Sequence, residues 1–75
     1  MSALAWVLLD TARAARFLAL TGLTPDALRA AAGEPATHLA VLDFLCAHEP
    51  DLVAAAEALG LGPAELAAAR DRLAR

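Results

Sequence analysis

Residues 34–51 read Glu34-Pro35-Ala36-Thr37-His38-Leu39-Ala40-Val41-Leu42-Asp43-Phe44-Leu45-Cys46-Ala47-His48-Glu49-Pro50-Asp51, and this stretch decides the fold. A Glu-Pro pair stands at each end. Proline is tolerated in the first turn of a helix, where its missing N–H would have no partner anyway. Between the two pairs, Leu39, Val41, Leu42, Leu45 and Cys46 form a continuous apolar stripe at helical spacing, with Asp43 opposite. The pattern predicts a helix from Glu34-Pro35 to about His48, closed by a second Pro-led helix start.

The same punctuation recurs on both sides. Ser2 caps a first helix running to about Leu20, with Gly22 as its C-terminal stop. Thr24-Pro25-Asp26 supplies a capping hydroxyl, a proline at the first helical position and an acid in the first turn, so a short second helix runs from there to Gly33. Downstream, the fourth helix stops at Gly60, and Gly62-Pro63 opens a fifth that reaches nearly to Arg75. Along these helices Leu4, Val7, Leu8, Ala15 and Leu18 share one face of the first, and Leu52, Ala55, Ala56 and Leu59 that of the fourth. The fifth offers little beyond Leu66, Ala69 and Leu73, and is expected to be the least firmly docked. Gly22-Leu23-Thr24-Pro25 echoes Gly60-Leu61-Gly62-Pro63, each with a Leu three residues past the proline. We read the echo as a recurrent helix corner rather than a duplication.

Composition agrees. The 75 residues hold 15 Leu and 22 Ala but no Ile or Tyr, and only three aromatic rings, Trp6, Phe17 and Phe44. Ala is the strongest helix former, and a sheet has little β-branched or aromatic material to be built from. The fold class is therefore all-α: one domain over residues 1–75, a compact bundle of about five short helices joined by tight Gly/Pro turns.

Charge and missing residues narrow the function. The net charge is −3 and all six basic residues are Arg. A mildly acidic surface offers no general attraction to nucleic acid or anionic lipid, so neither partner is expected. The apolar opening Ala3 to Leu9 is too short for a membrane span, and Asp10 breaks it. Cys46, the single cysteine, forms no internal disulfide, which fits a reducing compartment and a cytoplasmic protein. With no Lys, one Ser at the terminus, and His38 and His48 ten positions apart, no catalytic, cofactor-binding or metal-binding set is visible; no enzyme and no cofactor is expected.

Four residues stand out. Trp6 and Phe17 lie eleven apart, about three helical turns, with Asp10 and Arg13 between them on the same side of the expected first helix. Trp and Arg are favoured interface anchors, so Trp6, Asp10, Arg13 and Phe17 form the candidate partner-binding strip. A small bundle also tends to bury its one Trp, so the same pair reads somewhat more readily as core. His38 reads as a stripe-edge histidine bonded locally, His48 as a C-terminal helix residue favoured by the dipole, and Cys46 as a small core hydrophobe. Asp71 and Arg75 are spaced to pair along the last helix. Ala56, Gly60 and Leu66 match helix-turn-helix spacing, but the last helix starts Pro63-Ala64-Glu65-Leu66 and brings no base-reading side chain.

The segments Phe17–Leu23, Asp26–Arg29, Val41–Leu45 and His48–Pro50 resemble a family of short proteobacterial proteins designated domain of unknown function 3572. The similarity covers nearly the whole chain, and Phe17–Arg29 is its most specific part. The resemblance implies a cytoplasmic bacterial protein and supplies no catalytic residue. Members of that family run longer at the N-terminus, which points to Met1 as a late start, and carry an aromatic near Ala55, so a lighter core is expected there. The function read from the sequence is an interaction module binding another protein or itself; the alternative is a degenerate helix-turn-helix using the last helix.

Overall fold

In a computed structural model, which describes residues 2–75, the chain forms six helices and no strand among the described residues. They are α1 (Ala3–Leu8), α2 (Thr11–Thr21), α3 (Pro25–Ala31), α4 (Pro35–Cys46), α5 (Glu49–Leu59) and α6 (Pro63–Ala74). Four of the six begin at or next to a proline, as the punctuation requires. Met1 and the question of the true start lie outside the described residues.

One expected helix is two. The run from Ser2 to Leu20 breaks at Leu9-Asp10 because Asp10 acts as a helix start: its Oδ1 accepts the Arg13 N–H at 3.0 Å and caps α2. Ser2 caps α1 likewise, its hydroxyl accepting the Ala5 N–H at 3.1 Å.

The core is organised around α4, which packs against α1, α2, α5 and α6. A helix surrounded in this way needs apolar residues on most of its circumference. Val41, Leu42, Phe44 and Leu45 are buried, Leu39 and Cys46 half-buried, and Asp43 alone faces water in that stretch. Phe17 from α2 meets Phe44 edge-on, ring centroids 5.3 Å apart and planes at 83°. Trp6 and Val7 of α1, Leu28 of α3, Ala55 and Ala56 of α5 and Leu66 of α6 complete the core.

The expectation that the last helix is the most loosely docked does not hold. The contact between α6 and α4 is the most extensive in the molecule, with Leu66 buried and the small Ala69 packed against the core. The loosely held element is α3, attached chiefly through Leu28 and half-buried Leu23.

The echoed corners share a left-handed glycine and differ in their capping hydrogen bonds. Gly22 and Gly60 both adopt left-handed conformations, φ 74° and 71°, which only glycine enters without strain. After α5, the Leu61 N–H returns to the Ala56 carbonyl at 2.8 Å and the Gly60 N–H to Glu57 at 3.2 Å, a Schellman cap. After α2, the Gly22 N–H bonds the Leu18 carbonyl at 2.9 Å, while the Leu23 N–H goes to the Thr21 hydroxyl at 3.3 Å. Leu59, the counterpart of Thr21, has no hydroxyl to compete for that N–H. In both copies the leucine after the proline, Leu28 or Leu66, is buried.

Candidate interaction surfaces

Three of the four candidate strip residues, Trp6, Asp10 and Arg13, come together as a corner brace and not as a surface, while Phe17 packs against Phe44. Trp6 is 8 % exposed and Phe17 fully buried, so neither ring is available to a partner; the break at Asp10 turns both into the core. Arg13 is half-buried and folds back over the end of α1. Its guanidinium stacks on the Trp6 ring 3.5 Å from the centroid, its Nε donates to the Val7 carbonyl at 3.3 Å, and an Nη donates to the Trp6 carbonyl. Terminal carbonyls of a helix lack intrahelical donors, and a cation there also complements the dipole. The Arg13 backbone N–H is the main cause that holds the Asp10 carboxyl below its ordinary value of 3.8.

The other singled-out residues are structural too. His38 is exposed, and its Nε2 lies 2.9 Å from the Ala32 carbonyl; because a carbonyl only accepts, that nitrogen carries a proton and donates. His48 is not the C-terminal residue of α4 but the residue preceding α5, its Nδ1 3.0 Å from Asp51. Asp51 also pairs with Arg16, whose guanidinium lies over Phe44 at 4.9 Å, so one carboxylate ties α5 to α2. Cys46 is only half-buried, and burial pushes its thiol above the ordinary 9.0 despite the nearby Arg70. Asp71 pairs with its neighbour Arg70 at 3.0 Å and not with Arg75. Among the described residues no three His, Cys, Asp or Glu side chains gather as a metal site.

Sequence reading missed the feature that the packing creates. Between α1, α4 and α6 lies a half-open apolar cavity of about 470 Å³ whose walls include Ala3, Leu4, Val41, Leu42, Ala69 and Leu73, with His38 and Ser2 at its polar edge. A second, of about 220 Å³, continues it beneath α3 and is walled by Leu8, Leu18, Leu28 and Arg29. Leu4 and Ala32 line both, so the two form one groove with a waist. Leu8 and Leu73, 44 % and 40 % exposed, stand at its rims. The groove exists because α3 and the far end of α6 are held apart over α1; no spacing in the sequence encodes that separation.

The charges around this groove are uneven. Arg29 and His38 are the only titratable side chains in its walls, and no carboxylate lines either compartment, although Asp and Glu outnumber Arg nine to six in the chain. The sequence model of the family described as Protein of unknown function (DUF3572) matches residues 1–75. This chain belongs to that family. No curated protein and no solved structure matches it. Within this DUF3572 chain the resemblance segments divide between two jobs. Val41–Leu45 and Phe17 build the core, whereas Leu28 and Arg29 of the Asp26–Arg29 segment line the groove's second compartment together with Pro25. Ala55, where the family resemblance implied an aromatic, is fully buried against the other core residues. No single described helix is long and apolar enough to cross a membrane.

Proposed function

We propose that this protein is a helical interaction module that receives the apolar face of a partner helix in the groove between α1, α3, α4 and α6. The observation that carries the reading is the pair of adjoining apolar compartments sharing Leu4 and Ala32. A helix laid into a groove presents anchors at i, i+3 or i+4 and i+7, and two compartments separated by a waist suit two such anchors better than one continuous ligand. Each buried anchor contributes on the order of 1.5–3 kcal/mol through apolar area removed from water.

The test is affinity capture from the native host with wild type and Leu73→Glu in parallel. Leu73 is 40 % exposed, so the substitution leaves the fold intact while placing a charge on the rim. A protein recovered by wild type and lost by the variant supports the groove. Identical recovery by both removes it from consideration.

A second reading, nucleic-acid binding through α6, has one observation in its favour: α5 and α6 meet at 101°, within the helix-turn-helix range. Against it, Glu65 is engaged with the Gly62 N–H at 3.1 Å and Arg70 with Asp71, which leaves the start of α6 without a free base-reading group. Duplex binding at low salt that weakens in Arg72→Ala would restore this reading; no binding ends it.

A further inference from the structure

Of the seven residues of α3 only Leu28 is buried; Pro25 to Ala27, Arg29 and Ala30 are exposed and Ala31 is half-buried. Arg29 pairs with Asp26 of its own helix, so neither charge ties α3 to a neighbour. Gly22 and Gly33 stand in the turns on either side, with no atom within 4 Å of where a Cβ would sit at either. The far end of α3 also lacks a closure that its neighbours have. The residue after each of α1, α2, α4 and α5 returns its N–H to a carbonyl of the helix just ended, whereas Ala32, after α3, makes no such bond. Its carbonyl instead accepts from the Nε2 of His38 on α4, at 2.9 Å. Among the described residues this is the one hydrogen bond that joins Thr24–Ala32 to another helix. The bond lies at the waist of the groove, because Ala32 lines both compartments and His38 the larger one. Pro25, Leu28, Arg29 and Ala32 form one side of the smaller compartment, which therefore exists only while α3 is docked.

We propose that α3 is a latched, movable wall of the groove: it undocks and unwinds as one unit while the other five helices stay folded, and the bond from His38 to Ala32 is the latch. Elements with few buried contacts open below the free energy of global unfolding, in contiguous cooperative units. Seven residues do not hold a helix in water, so undocking and unwinding are one event. In the open state the smaller compartment is gone and Leu18 of α2 gains exposure. An occupant of that compartment holds α3 shut to the extent that it binds the docked state better than the open one. The inference deepens the groove reading by naming the wall that moves, and it rests on that reading only for what the motion serves; the opening belongs to the free chain and is measured with no partner present.

Native-state amide hydrogen exchange of the full chain, followed by NMR, is the test. The amides of Leu28, Arg29, Ala30 and Ala31 are expected to share one opening constant, at least about 100-fold larger than that of Leu42–Leu45 in α4. In His38→Ala their exchange should rise about threefold to tenfold, the effect of one lost hydrogen bond, with α4 and α6 no faster than in wild type. His38→Gln keeps an N–H donor at a similar reach and should stay within about twofold of wild type. Equal protection of α3 and α4 overturns the proposal, because α3 then opens only when the whole molecule does. Protection graded from one end of α3 overturns it as well, since that is fraying and not a unit. If His38→Ala leaves α3 unchanged, or speeds α3 and α4 alike, the latch is refuted.

Discussion

Arg13 shows how a residue suited to an interface serves the fold. Its guanidinium covers the Trp6 ring and satisfies two carbonyls at the end of a six-residue helix too short to persist alone. Arg13→Ala is expected to cost about 1–3 kcal/mol in urea denaturation, from charge-assisted bonds and the lost stacking. Arg13→Lys should recover less than half of it, because an ammonium cannot stack and bridge two carbonyls together. Asp10 is the acid-sensitive end of the same corner. Its folded pKa lies below 3.8, so its stabilising effect is complete above that value and is lost as pH falls through the lower folded value. The stability difference between wild type and Asp10→Ala should accordingly shrink on acidification into that range. Cys46 behaves oppositely: with its thiol held above 9.0 it stays protonated at neutral pH, and alkylation by iodoacetamide should be slower than for a free thiol and accelerate only above that pH. The chemistry of these residues was visible in the sequence, but their direction was not. Trp6 and Phe17 suit both a core and an interface, and only the break at Asp10, three residues before Arg13, sends both inward.

The helical elements themselves were legible because each carries its own start and stop. Ser2, Asp10 and Thr24 cap through their side chains, and Gly22 and Gly60 close the helices before the prolines that open the next. Reading one helix across Leu9-Asp10 failed because Asp10 lacked the neighbouring proline that marks the starts of α3, α4, α5 and α6. Gly22→Ala or Gly60→Ala should each cost about 1–2 kcal/mol, the strain of a Cβ at positive φ, since no neighbouring atom obstructs either position. The ranking of docked helices was not legible, because α6 packs against the core through Leu66 and the small Ala69, which show as a sparse apolar face in the sequence. Leu66→Ala, 4 % exposed in that contact, should cost about 2–5 kcal/mol. Leu73→Ala, 40 % exposed and one end of the groove, should cost under about 1.5 kcal/mol. Comparing their denaturant midpoints separates the docked part of α6 from its rim.

At the scale of the molecule, a 75-residue chain of this kind has about 4–11 kcal/mol of stability. Most of it is invested around α4. Leu42→Ala, at an expected cost of about 2–5 kcal/mol, should remove a large share of that reserve, read as a lowered denaturant midpoint. Against so small a reserve, an open apolar groove shaped by α1, α3, α4 and α6 is a sizeable area left in water, and the partner helix proposed above would cover it. The groove was invisible in the sequence because it arises from the spacing between helices and not from any one of them. The most direct measurement is methyl chemical-shift mapping of the Leu and Val side chains on titration with the protein recovered by capture. The account predicts shifts at Leu4, Leu8, Leu28 and Leu73, with Val53 on the outer face of α5 and Leu20 on α2 unmoved. Shifts confined to Val53 or Leu20, with the groove methyls unchanged, would contradict it.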